Sequence, residues 1–152
     1  MIINSTPITT GTFSGMWVTN LVVVFPSAER PKGMIDGTLL PYDGINLLAT
    51  SGAKVSISDL TTARATDLVL SGVVINLASE CQRQASKTAA VRTVIVMAMS
   101  PAQPVVAMIL FTDGTYHMIN DCFGLASTDA TFAGVFMDVM AEVARQAGLE
   151  IE

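Results

Sequence analysis

The chain is short of charge. Only 14% of its 152 residues are Asp, Glu, Lys or Arg, against about 25% in an average soluble domain. Eight bases and thirteen acids leave a net charge of −5, which argues against bulk nucleic-acid binding, because that needs a basic face. There is one histidine, His117, and there are two cysteines, Cys81 and Cys122. Two cysteines make neither a disulfide framework nor a zinc-ligand cluster, and a reducing compartment is the default. HExxH, CxxC and calcium-loop patterns are missing, and the eleven glycines are scattered rather than gathered into a phosphate loop. No metal and no cofactor are therefore expected.

Two further absences bear on location. The first ten residues, MIINSTPITT, have no basic n-region and no apolar h-region, so a Sec signal is not expected. The longest apolar stretch is cut by Ser100, Pro101, Gln103 and Pro104, short of the ~20 residues that span a bilayer.

Apolar side chain, in contrast, is abundant: 51% of residues are hydrophobic and mean hydropathy is +0.54. A globule of 16.0 kDa exposes roughly 7,400 Å², and few charges are at hand to solvate it. A subunit partly covered by neighbours needs fewer. The excess is concentrated in residues 91–120, which read as a three-stranded meander with a type I′ turn at Asp113-Gly114. Residues 94–99 and 105–111 are apolar on both faces. An antiparallel sheet usually leaves one face in water, so these strands call for cover on both sides.

The predicted organisation is an uncharged, extended arm over residues 1–16 and a single α+β domain over 17–152. In the strand over 17–25, Trp17, Thr19, Leu21, Val23 and Phe25 share one side by period two. A loop over 26–33 follows, with Glu29, Arg30 and Lys32 between two prolines. Short antiparallel strands over 34–40, 45–49 and 54–58 complete an N-terminal β-rich lobe. A helix capped by Ser58 or Asp59 runs into Gln84, with Leu70, Val73, Val74, Leu77, Ala78 and Cys81 facing inward. Its β-branched residues around Gly72 keep a strand over 68–77 as the alternative. After the meander comes a C-terminal amphipathic helix, capped by Ser127 or Thr128, with Asp129 in its first turn and Gly148 as its stop. Phe132, Val135, Phe136, Val139, Met140 and Val143 form its buried stripe, with Asp138 and Glu142 on the opposite side. Gly134 within it costs about 1 kcal/mol and suits a place where another backbone packs closely. No internal repeat is legible.

Charge is placed unevenly. Residues 81–112 hold Arg83, Lys87 and Arg92 and no acid, whereas residues 113–152 hold seven acids against Arg145 alone. Either two faces are solvated differently, or a basic patch meets an acidic patch on a neighbour.

Candidate chemistry is thin. Cys122 with His117 and Asp121 is formally a nucleophile, base and orienting acid, but no cysteine-hydrolase signature surrounds it. The candidate partner contacts are Arg30, Pro31 and Lys32 in the loop, with Trp17 and Phe13. The function expected is that of a non-enzymatic, self-associating assembly subunit: a small virion protein (phage tail, baseplate, neck or head) or a similar ring-forming component. Its partners would be copies of itself and other assembly proteins, with no nucleic acid and no membrane, and its place the virion or otherwise the cytoplasm. The alternatives are a small cytosolic α+β enzyme using Cys122 and His117, and an adaptor that binds one protein ligand through a sheet edge.

Overall fold

The computed structural model describes residues 15–42, 53–98 and 103–148. Its strands are β1 (Gly15–Val24), β2 (Met34–Tyr42), β3 (Ala53–Ile57), β4 (Val91–Met97), β5 (Val106–Phe111) and β6 (Tyr116–Ile119). Its helices are α1 (Leu60–Thr66), α2 (Leu68–Ala85), α3 (Cys122–Ala126) and α4 (Ala130–Gln146). The α+β class expected from the sequence is the one found. The N-terminal strands are not a separate lobe, however. They pair with the meander into one antiparallel sheet of order β3-β2-β1-β4-β5-β6. The strand expected over 45–49 and residues 100–102 of the proline-bounded turn lie outside the described residues, as does the arm up to residue 14, and Gly15 and Met16 already belong to β1.

Local chemistry sets the boundaries. The one long helix expected before the meander is two, because Asp67 is extended (φ −126°) and caps α2, its carboxylate accepting the Leu70 N–H at 3.1 Å. Residues 68–77 are helical despite their β-branched content; the cap and a buried face of Leu70, Val74 and Cys81 outweigh propensity. Asp129, not Ser127 or Thr128, caps α4 by accepting from Phe132 N–H at 3.0 Å. Ser127 ends the short α3, which the sequence reading missed.

Two expectations of register fail for identifiable reasons. A β-bulge at Thr19 shifts the pairing between Val18 and Asn20, so Val18 is buried on the same side as Leu21 and Val23 rather than opposite them. At the β5–β6 turn Gly114 has φ +84° and no positive φ is found at Asp113. Phe111 N–H donates to Thr115 C=O and Gly114 N–H to Phe111 C=O, which closes a three-residue loop with a left-handed glycine, not a type I′ turn. The Asp113 carboxylate braces it, accepting from Thr115 N–H at 3.0 Å and from the Thr115 hydroxyl.

The chain does contain an internal repeat. Each half runs strand, strand, strand, short helix, long helix, and the halves meet at the antiparallel β1–β4 pair. The bulge at Thr19 (Val18 opposite Leu39) recurs at Arg92 (Val91 opposite Phe111). Phe25 N–H donates to Arg92 C=O, and Ala98 N–H donates to Thr19 C=O, each at 2.9 Å. Leu60 N–H reaches Gly33 C=O as Cys122 N–H reaches Val105 C=O. These reciprocal bonds define a pseudo-two-fold axis through the Val22–Ile95 pair. In the helices the repeat becomes visible as sequence at one constant spacing: Asp67 matches Asp129, Gly72 matches Gly134, Val73 matches Val135, and Glu80, Arg83, Gln84 and Ala85 match Glu142, Arg145, Gln146 and Ala147.

The helices cover one face of the sheet. Leu21, Val23, Ile35, Leu39, Val94, Val96, Ile109, Phe111 and Ile119 point toward them and join Leu70, Val74, Phe132, Phe136, Val139 and Met140 in a single core. Among the described residues the bulky, fully or nearly fully buried Leu21, Leu39, Leu60, Leu70, Ile109, Phe111 and Met140 each remove enough apolar area to stabilise the fold by about 1.5–3 kcal/mol.

Candidate interaction surface

The far face of the sheet has no described element over it. Direct pairing puts Val22, Ile95, Met108 and Met118 in one row across β1, β4, β5 and β6. A second row is Val24, Thr93, Leu110 and Tyr116, and beside them Met97 pairs with Val106 on one side and with exposed Asn20 on the other. Met97 is 41% exposed and Tyr116 65%, with the other residues of both rows half-buried. This is the two-faced apolar meander expected from the sequence, with no described residue packed over its second side.

The repeat supplies a control for how that face would look if it were merely solvated. The residues on β2 and β3 that are equivalent to Met108, Leu110, Tyr116 and Met118 are Asp36, Thr38, Lys54 and Ser56, by their pairing positions. All four are polar or charged, and all four of their counterparts are apolar or aromatic. On the helix-facing side four pairs of equivalents stay apolar in both halves, Leu21 and Val94, Val23 and Val96, Ile35 and Ala107, Leu39 and Phe111, with Val55 against His117 on the edge strands as the polar exception. Both halves therefore meet the same demand inside and different demands outside.

The charged residues of the two long helices and their caps are largely engaged within the chain. Arg83 makes two 2.7 Å bonds to Glu80, which is 5% exposed, and reaches Asp129 at 2.8 Å; Gln84 bonds both carboxylates. In the other half Arg145 grips Glu142 at 2.7 and 2.8 Å and Asp67 at 2.6 Å, again with the following glutamine bonding both. Each long helix thus clamps the N-cap aspartate of the other. The Phe132 N–H and the Arg83 and Gln84 side chains hold Asp129 down to about 2, and the Arg145 bond, then the Leu70 N–H, lowers Asp67. Glu142 was expected on the solvated side with Asp138; Arg145 and Gln146 satisfy it where it is buried. Lys87 lies 3.6 Å from Asp113. The basic and acidic segments therefore meet inside one subunit, which is neither arrangement the sequence suggested.

The other candidates separate. Arg30, Pro31 and Lys32 are exposed at the rim of an open depression of about 310 Å³. The base of the loop is tied down, with Lys32 C=O accepting from Thr61 N–H at 3.1 Å. Trp17 lies in β1 opposite Leu40, on the other side of the bulge from the loop, and Phe13 lies outside the described residues. His117 sits on edge strand β6 opposite Ile109, at the place where the other half has buried Val55. Cys122 is fully buried at the start of α3, and burial pushes its thiol up to about 12; Cys81 is raised to about 12 in the same way. Asp121 is engaged as the α3 cap, accepting from Gly124 N–H at 3.0 Å, and among the described residues no hydrogen bond joins it or Cys122 to His117. Both thiols line an interior apolar cavity of about 40 Å³, far below the ~300 Å³ of a small-molecule site.

Gly72 and Gly134 mark a second feature the sequence reading misjudged. A Cβ at either would meet nothing within 4 Å, so among the described residues no backbone packs on Gly134. Beside them Ile75 and Met137 stand exposed on the outer side of the helices. No described helix is long and apolar enough to cross a membrane. Comparison with protein-family models, curated proteins and solved structures finds no match for this chain.

Proposed function

We propose that this protein is a non-enzymatic assembly subunit that works by self-association, of the kind used in a virion or another ring-forming structure. One observation carries the reading: the outer face of β4, β5 and β6 is apolar where the equivalent strands of the same chain are polar. A solvated surface has no use for Met108, Leu110 and Met118, and Asp36, Thr38 and Ser56 are what the same fold carries where water is the neighbour. The chain's scarcity of charge supports the same conclusion. The enzyme alternative loses its support, because a nucleophilic cysteine needs a lowered thiol pKa and an adjacent base, and Cys122 is raised and buried.

The measurement is mass against concentration, by sedimentation equilibrium from low to high micromolar protein. Self-association that strengthens with concentration is expected. A wild-type chain that stays monomeric throughout that range overturns the reading.

A further inference from the structure

We infer that the apolar half of the outer sheet face is a two-fold interface with the same face of a second copy. The inference rests on the self-association reading above and assigns its surface and geometry. Strands lie ~4.8 Å apart and side chains on one face repeat every ~6.8 Å, so four strands and three rows make a patch of roughly 19 by 20 Å, or ~400 Å². A single α-helix is about 10–12 Å across and leaves nearly half that width uncovered. Four strands match it, and sheets stack face to face at about 10 Å with their strands aligned.

The patch residues Val22, Val24, Ile95, Met97, Met108 and Met118 carry no charge, so nothing in them selects an acidic or basic partner. An uncharged surface four strands wide, apolar but for Thr93 and for Asn20 at its corner, is what complements them, and the chain itself presents one. Two such faces related by a two-fold axis are self-complementary. Asp36 and Lys54 then fall outside the overlap and keep their water. Methionines at the centre can repack against their own copies. The total buried, ~800 Å², is below the ~1,200–2,000 Å² of a tight complex. The pair is therefore a weak, concentration-dependent dimer, suited to cooperate with other contacts in a larger assembly.

The test places one lysine at a time on each surface of the full chain. Met108→Lys and, on the edge strand, Met118→Lys are expected to raise the dimer dissociation constant at least tenfold while the circular dichroism spectrum and a cooperative melt are retained. Two substitutions guard against one of them failing to fold. Thr38→Lys, on the polar half, and Ile75→Lys, on the outer side of α2, are expected to leave the constant unchanged. If the wild-type chain associates but Ile75→Lys breaks it and the sheet variants do not, the interface lies on the helices: the inference fails and self-association stands. If the wild-type chain is monomeric, both fail. If deleting residues 1–14 converts a monomer into a dimer that Met108→Lys breaks, the chain's own N-terminal segment is the occupant and a second copy is not. A dimer unaffected by that deletion and broken by both sheet variants sustains the inference.

Discussion

Asp36 and Met108 hold equivalent places in the two halves of the sheet, one residue facing Val22 and the other Ile95 across the same pseudo-two-fold axis. The same is true of Ser56 and Met118, and of Lys54 and Tyr116. Backbone geometry cannot account for the contrast, because pairing, bulge and reciprocal hydrogen bonds agree between the halves. What differs, on the proposed reading, is the environment each outer surface has to meet. Inside, where one shared helix layer covers both halves, most equivalents match in character. A duplicated fold thus separates what the architecture demands of a residue from what something beyond the architecture demands.

The halves also differ inside, at Ile109 against Gly37 and at His117 against Val55, and the first of these gives the largest expected effect. Ile109 is 1% exposed in the core, and its equivalent is Gly37. Truncating Ile109 to Ala should cost about 2–5 kcal/mol. Adding a methyl in Gly37→Ala should change stability by under about 1 kcal/mol, its Cβ meeting Leu21 Cδ1 at 3.3 Å. Urea unfolding of the two variants measures both. Equal effects would mean that the halves do not share the core as the sheet register implies.

The two clamps should fail together in acid. Asp129 and Asp67 are both held below the usual carboxylate value. A lowered folded-state pKa contributes stability that is complete above the unfolded value of about 3.9 and is lost as pH falls through the folded one. For Asp129, at about 2, the window is therefore roughly pH 4 down to 2. Melting temperature should fall across it. Asp129→Asn and Asp67→Asn, which keep a capping oxygen, should each flatten the decline. An unchanged decline in the double variant would place the acid-sensitive groups elsewhere.

The smallest effect sharpens the comparison most. Gly72→Ala and Gly134→Ala fill open space at equivalent helix positions, so each should stabilise the subunit by about 0.5–1 kcal/mol. Equal gains in chemical denaturation confirm the equivalence of the two helices. If either variant also weakens self-association, the outer helix surface joins the sheet as a contact.

Sequence alone reached the α+β class, the meander with its two apolar faces, and the C-terminal helix and its stripe. Those are legible because period and polarity are local properties, written in neighbouring residues. The inward direction of Val18 was not, because a bulge is a mismatch between two strands and neither strand carries it alone. The burial of Glu80 and Glu142 was not, because a carboxylate reads as solvated until the arginine and glutamine of its own helix and the cap of another converge on it. The repeat was present in the sequence throughout, from Asp67 and Asp129 to Gln84 and Gln146. The matched residues are few and the strands between them have diverged, since many apolar side chains fill an inward position equally well. Only the tertiary structure placed Asp36 opposite Val22 as Met108 lies opposite Ile95. A surface becomes recognisable as unsatisfied when the fold puts its solvated counterpart beside it.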